Sequence, residues 1–122
     1  MVIVDSACDL PDCELHTLGQ GLAAIFTTRC PESQDLNEDS CALIPFDSRS
    51  GILVVADGAG GLPSGGKASE ITIAAMRSAL RSAAKRQGEL RSAVLDGIEA
   101  ANRGVMGLGV GAATTLAAPK GA

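Results

Sequence analysis

The pattern of apolar and polar residues predicts a β-hairpin in the middle of the chain. Residues 40–46 have strand composition, and a polar turn connects them to a second apolar run, 52–56, that ends at Asp57. Because the arms of a hairpin run antiparallel, Glu38 and Asp39, before the first arm, should lie beside Asp57, after the second. The pattern therefore predicts three carboxylates at one end of a sheet.

Other segments flank this hairpin. Residues 2–4 are predicted to form an edge strand, and residues 22–28 and 112–118 have strand composition. Apolar residues recur with helical period in 67–87 and 90–103, so these segments are predicted helices. Their predicted inner faces consist of Ala68, Ile71, Ala75, Ala79 and Ala83 on the first helix and of Leu90, Val94, Leu95, Ile98 and Ala101 on the second, with Gly97 as a weak point.

Length and composition indicate one domain with a core of small side chains. The 122 residues are 46% hydrophobic but include two Phe, no Trp and no Tyr, so Ala, Val, Ile and Leu must fill the core. We assign residues 1–20 to an N-terminal extension or edge strand and residues 21–122 to the domain. The net charge of -4 argues against nucleic acid and anionic membranes as partners.

The cysteines favour reduced thiols over a zinc site. Cys8, Cys13, Cys30 and Cys41 follow no paired two-residue spacing, which zinc ligands usually show. The chain starts without a basic segment followed by an apolar run, and no stretch approaches the length of a membrane span. We therefore expect a cytoplasmic location.

The acidic residues around the hairpin predict a site for a hard divalent cation. Asn37-Glu38-Asp39 and Asp57-Gly58 would converge from two segments, and carboxylate and carbonyl oxygens are the ligands that Mg²⁺ and Mn²⁺ prefer. The alternative is a polar loop followed by a turn aspartate. The segments lack His and Cys, which counts against zinc.

Several motifs together resemble a known family, the PPM-type metal-dependent protein serine/threonine phosphatases of the type 2C group. The resemblance spans about residues 22–118 and corresponds to the N-terminal half of that domain. The matching motifs, in chain order, are Asn37-Glu38-Asp39-Ser40, Val55-Ala56-Asp57-Gly58-Ala59-Gly60-Gly61, Gly66-Lys67-Ala68-Ser69, Ala101-Asn102 and Gly111-Ala112-Ala113-Thr114-Thr115-Leu116.

The resemblance implies a fold and a set of roles. The fold would be α+β, an αββα four-layer sandwich that is incomplete here, with antiparallel hairpin strands and two helices. Asp57 would bridge two Mg²⁺ or Mn²⁺ ions, the Gly58 carbonyl would bind one of them, and Glu38 and Asp39 would hold metal-bound waters. The activity implied is the hydrolysis of phosphoserine and phosphothreonine in a phosphorylated protein substrate.

The sequence departs from the family pattern in three respects. Arg29, matched to the family's phosphate-binding arginine, lies nine residues before Glu38, farther than usual, and Lys67 replaces a glutamate. The family's later metal-binding aspartates have no counterpart, because nothing acidic follows Glu99. We therefore expect a fragment of a longer phosphatase, with little or no activity by itself.

Two other classes of function remain open. Gly61, four residues, and then Gly66-Lys67 approximate a phosphate-binding loop, but Ala68 replaces the required Ser or Thr. A non-catalytic phosphatase-like interaction module is the other class, with possible self-association through exposed strands.

Overall fold

The structure is a computed structural model, which describes residues 1–18, 21–29, 31, 36–58, 65–108, 114–117 and 120–121. This part of the chain is α+β. The elements are β1 (Val2–Val4), β2 (Glu14–Leu18), β3 (Gly21–Ile25), β4 (Asp39–Pro45), β5 (Gly51–Gly58), α1 (Gly65–Lys85), α2 (Leu90–Met106), β6 (Thr114–Ala117) and β7 (Lys120–Gly121). No helix in these ranges is long and apolar enough to cross a membrane.

The strands form two antiparallel sheets. The larger has the order β1-β4-β5-β6, with β7 also paired to β5, and the smaller is the β2–β3 pair. β4 and β5 form the predicted hairpin, in which Asp39 lies opposite Asp57 and Pro45 opposite Gly51. β6 continues the sheet, with Thr115 opposite Asp57. The hairpin, the edge strand β1 and the strand β6 are thus confirmed.

The turn between β4 and β5 is held by Asp47. Its Oδ1 accepts hydrogen bonds from the backbone N–H of Arg49 at 2.9 Å and from that of Ser50 at 2.7 Å. These donors, with the Ser50 hydroxyl, lower the pKa of the Asp47 carboxyl. Because turn geometry sets the pairing of the two arms, Asp47 helps to fix their register.

Alternation along the hairpin separates two cores. One face packs against the helices and includes Ala42, Ile44, Ile52, Val54 and Ala56. The opposite face carries Leu43, which packs with Val4 of β1 and Ile25 of β3. The β2–β3 pair therefore covers part of the sheet face that the helices leave open.

One predicted strand has different bounds, and one strand was not predicted. The strand predicted over residues 22–28 begins at Gly21 and ends at Ile25. β2 was not predicted, because its inward positions include Glu14 and His16, whose side chains form a hydrogen bond of 3.0 Å instead of an apolar stripe. Cross-strand pairing with β3 decides the conformation of this segment.

The predicted inner faces of both helices were partly wrong. Ile71, Ala75 and Ala79 are only half-buried, and Leu95 and Ile98 are 55% and 42% exposed. Ala68, Ala83, Leu90 and Ala101 are buried as predicted. The other buried residues are Gly65, Ser69, Thr72, Ile73, Met76 and Leu80 on α1 and Ala93 and Gly97 on α2. The face of α2 that packs against α1 is therefore not its most hydrophobic face. The small residues on the packed face allow the two helices to approach closely.

Gly97, the predicted weak point of the second helix, is also required by packing. A Cβ added there would lie 2.6 Å from the Met76 Sδ and 3.3 Å from the Met76 Cα. The first distance is shorter than real contacts, and the second involves backbone, which does not move freely.

We expect Gly97→Ala to destabilise the chain by about 1–2 kcal/mol, because the overlap with Met76 exceeds the gain in helix propensity. Gly107→Ala is the matched control, since Gly107 has helical φ and ψ and a Cβ there would meet nothing closer than 3.4 Å. Urea denaturation measures both. Equal stability of the Gly97 variant and the wild type would contradict the packing.

Candidate functional site

The hairpin brings Asp39 and Asp57 into direct contact. They are cross-strand partners at the ends of β4 and β5, and their carboxyl groups form a hydrogen bond. The pKa of Asp39 is raised to about 6, chiefly by burial and in addition by the hydrogen bond to Asp57 and by the charges of Asp57 and Glu38. Two carboxyl groups, whose oxygens can serve as metal ligands, thus lie together on the sheet face opposite the helices.

Glu38 contributes to the site through its backbone as well as its charge. Its carbonyl oxygen accepts hydrogen bonds from the Gly58 N–H at 3.3 Å and from the Ser69 hydroxyl at 2.7 Å. These bonds join the residue before β4 to the end of β5 and to the first turns of α1. The backbone on both sides of the Asp39–Asp57 pair is therefore fixed by α1.

Gly58 must be glycine because α1 begins against it. A Cβ at this position would overlap the carbonyl group of Gly65 and would lie 2.8 Å from the Glu38 carbonyl oxygen. The sequence singled out Gly58 as a carbonyl ligand. The structure shows in addition that its missing side chain is what allows α1 to approach the acidic pair.

A buried pair of hydroxyls connects the sheet to α1. Ser40 and Ser69 are 2% and 0% exposed, and their Oγ atoms are 2.9 Å apart. Since Ser69 donates its proton to the Glu38 carbonyl, Ser40 can donate to Ser69. The sequence does not predict this link, because only the fold brings the two serines together.

Asn37 anchors the segment that precedes β4. Its side chain is buried, and its Nδ2 donates to the Cys8 carbonyl at 2.8 Å and to the Thr27 Oγ1 at 2.7 Å. Its Oδ1 accepts from the Asp39 N–H at 3.1 Å. Asn37 is therefore a positioning residue, and Asp39 depends on the N-terminal segment as well as on the hairpin.

Arg29 pairs with Asp9, whereas Asp39 and Asp57 contact each other. Its backbone N–H donates to the Asp9 Oδ1 at 2.8 Å, and its Nε lies 3.5 Å from the Asp9 Oδ2. The side chain is 49% exposed. In this conformation the guanidinium charge is directed to Asp9.

A small groove leads to Asp39. Its volume is about 160 Å³, and it lies between the end of β3 and the open face of β4 and β5. Phe26 and Val55, which line it, are 58% and 43% exposed. The remaining lining residues are Ala24, Ile25, Thr27, Ser40, Cys41 and Leu53. The acidic pair is thus bordered by an apolar surface.

The donor set matches the chemistry of a hard cation but is small. Asp39 and Asp57 supply carboxylate oxygens. A divalent cation would offset the burial and the neighbouring negative charges that raise the pKa of Asp39. Within the described ranges, no three His, Cys, Asp or Glu side chains gather closely enough to hold a metal ion. Glu38 therefore affects Asp39 by its charge without completing a group of three. The predicted motif residues 59–61 and 111–113 lie outside the described part of the chain.

Comparison with known proteins gives one family. A family model described as protein phosphatase 2C matches residues 28–118, a range that includes the acidic pair, both helices and β6. Neither a curated protein nor a solved structure matches the chain.

The raised pKa of Asp39 predicts a specific pH dependence of stability. The unfolded chain loses this proton near the ordinary pKa of 3.8, whereas the folded chain keeps it up to about pH 6. The resulting stability is fully present below about pH 4 and is lost as the pH rises through about 6. Asp39→Asn has no titrating carboxyl group at this position. Its free energy of unfolding should therefore rise by roughly 1 kcal/mol relative to that of the wild type between about pH 4 and 7.

Urea denaturation across this pH range, in the presence of EDTA, measures the difference between the two proteins. Asp96→Asn, at an exposed position of α2, controls for the loss of one carboxylate. Parallel profiles for the wild type and the Asp39 variant would show that Asp39 has no raised pKa.

Proposed function

Since the chain belongs to the protein phosphatase 2C family, we propose that it acts in the metal-dependent hydrolysis of phosphoserine and phosphothreonine in proteins. The observation that carries this proposal is the contact between Asp39 and Asp57 at the paired ends of β4 and β5. Paired carboxylates on an open face, within a region that matches a phosphatase family, favour a cation site over a structural turn.

Asp57 is the proposed principal ligand of Mg²⁺ or Mn²⁺, with the Gly58 carbonyl beside it. Asp57 is the more exposed carboxylate, while Asp39 is half-buried and held through Asn37. Asp39 and Glu38 would then orient water around the ion. A divalent cation bound here would polarise phosphate oxygens and acidify a water molecule toward neutral pH.

Arg29 is proposed to bind the substrate phosphate. Arginine is suited to this role because its planar guanidinium can hold two phosphate oxygens. In the structure it pairs with Asp9 across 3.5 Å, and both side chains are partly exposed. Such pairs are weak, so an incoming phosphate dianion could compete with Asp9 for Arg29.

The proposed parent fold is the αββα sandwich. One helical layer covers one face of the larger sheet, and the acidic pair lies toward the other face. That position is the one expected for metals held between two sheets. Phosphorylated proteins are the proposed substrates, and the groove beside Asp39 is a candidate contact surface for the residue that carries the phosphate.

The small number of donors limits what this chain can do alone. Magnesium and manganese need about six oxygen ligands, and two carboxylates with one carbonyl leave most positions of two ions to water. We therefore propose weak metal binding and little turnover for the chain by itself. The cytoplasmic location stays a proposal, supported by the free thiols of Cys8, Cys13 and Cys41.

A non-catalytic interaction module is the second candidate. It is favoured by the exposed apolar side chains of Phe26 and Val55 on the groove, which could contact a partner or a second copy of the chain. The phosphate-binding-loop alternative is disfavoured, because the five strand pairings described are all antiparallel and Ala68, in place of the hydroxyl, is buried.

Titration calorimetry with Mn²⁺ at about pH 7.5 tests the proposed ligands. We expect weak binding, with a Kd of roughly 0.1–1 mM, and at least about a tenfold loss in Asp57→Asn, because one principal carboxylate is removed. Asp96→Asn is the control for charge and should bind as the wild type does. Equal binding by the two variants would exclude Asp57 as a ligand.

The same samples can be assayed with a phosphoserine peptide. We expect slow or undetectable hydrolysis in Mn²⁺, because the donor set is small. Robust turnover abolished by Asp57→Asn would support the phosphatase function and disprove the predicted weakness of the isolated chain. Phosphopeptide binding that Mn²⁺ does not change and that Asp57→Asn does not weaken would favour the interaction module.

A further inference from the structure

A second pocket lies at the other end of β4, against α1. Its volume is about 390 Å³, and three cationic side chains of α1 line it: Arg77, Arg81 and Lys85. Ile44 and Pro45 of β4 and Ala84 of α1 provide apolar surface. The pocket thus combines three positive charges with an apolar wall and contains no carboxylate among its described lining residues.

The three charges are close together, and none has an ion-pair partner among the residues that the structure describes. They are spaced by four residues, so they lie on one face of α1, where like charges destabilise a helix. The ion pairs present in the described part of the chain involve other residues. The Arg77 Nε is buried and has no hydrogen-bond partner among the described atoms. A buried N–H without a partner is costly, which is unusual for a purely structural arginine.

A solvated helix face explains only part of this arrangement. Arg81 and Lys85 are exposed, and Lys85, in the last turn of α1, interacts favourably with the helix terminus. Arg77 differs from both. It lies about two turns before Lys85 and is half-buried, and neither solvent nor the helix terminus satisfies its Nε.

We propose that this pocket binds a small organic phosphate monoester. Guanidinium groups hold phosphate oxygens by charge-assisted hydrogen bonds, so the phosphate would lie against Arg77 and Arg81, with Lys85 adding charge. The volume exceeds what a phosphate group alone occupies, and Ile44, Pro45 and Ala84 would cover an apolar substituent. The ligand would relieve the repulsion along α1 and would pair with the guanidinium group of Arg77.

This pocket is separate from the acidic pair. Pro45 lies six positions after Asp39 in β4, which corresponds to about 20 Å of extended strand. Ile44 faces the helices, whereas Asp39 and Asp57 lie on the opposite face of the sheet. One phosphate group cannot contact both sites, so the proposed ligand is not the phosphate undergoing hydrolysis. The inference does not depend on phosphatase activity.

Nuclear magnetic resonance of the metal-free chain tests the proposal. The probe is phenylphosphonate, whose carbon–phosphorus bond is not hydrolysed, and the signal to follow is the Arg77 Nε–H. We expect a saturable shift of this signal and binding several-fold tighter than that of inorganic phosphate, because the phenyl ring meets the apolar wall. Equal affinity for the two anions would overturn the organic part of the proposal.

Variants identify the site. The double variant Arg81→Gln with Lys85→Gln should weaken phenylphosphonate binding by about tenfold or more, since both residues are exposed and their loss should leave the fold intact. Arg91→Gln with Arg103→Gln, at exposed positions of α2, removes the same charge elsewhere and should have no effect. Equal losses in the two double variants, or an equal shift produced by sodium chloride, would show nonspecific ionic effects and overturn the proposal.

Discussion

The register between β4 and β5 is the constraint on which the candidate site depends. It places Asp39 opposite Asp57 and directs both away from the helices. A slip of one residue would exchange the two faces of a strand, so it would carry one carboxylate into the helix-facing core. The Asp47 turn and the apolar clusters on both faces oppose such a slip. The forces that fold the hairpin therefore also bring two mutually repelling acids together.

α1 fixes the backbone around this pair. Gly58 lets the helix begin directly against β5, and the Ser69 hydroxyl holds the Glu38 carbonyl at 2.7 Å. Asn37 connects the same region to the N-terminal segment. These contacts hold the backbone on both sides of the pair, and with it the burial that raises the pKa of Asp39. A site of this kind is organised before any ligand arrives.

The sequence was most informative where local patterns determine structure. Alternation and turn chemistry were sufficient to predict the hairpin and the contact of Asp39 with Asp57, because both follow from antiparallel pairing. It was less informative about helix faces, where close packing of small residues such as Gly97 outweighed hydrophobicity. β2 and the Ser40–Ser69 link could not be predicted, since each depends on contacts between segments distant in sequence.

Paramagnetic broadening by Mn²⁺ tests most directly whether the hairpin creates a cation site. At substoichiometric Mn²⁺, the backbone amide signals of residues 38–40 and 57–58 should broaden before all others, and Asp57→Asn should abolish this order. The segment 9–14 carries exposed acidic residues without the cross-strand contact and serves as an internal comparison. Broadening that begins in 9–14, or that is unchanged in Asp57→Asn, would contradict the account.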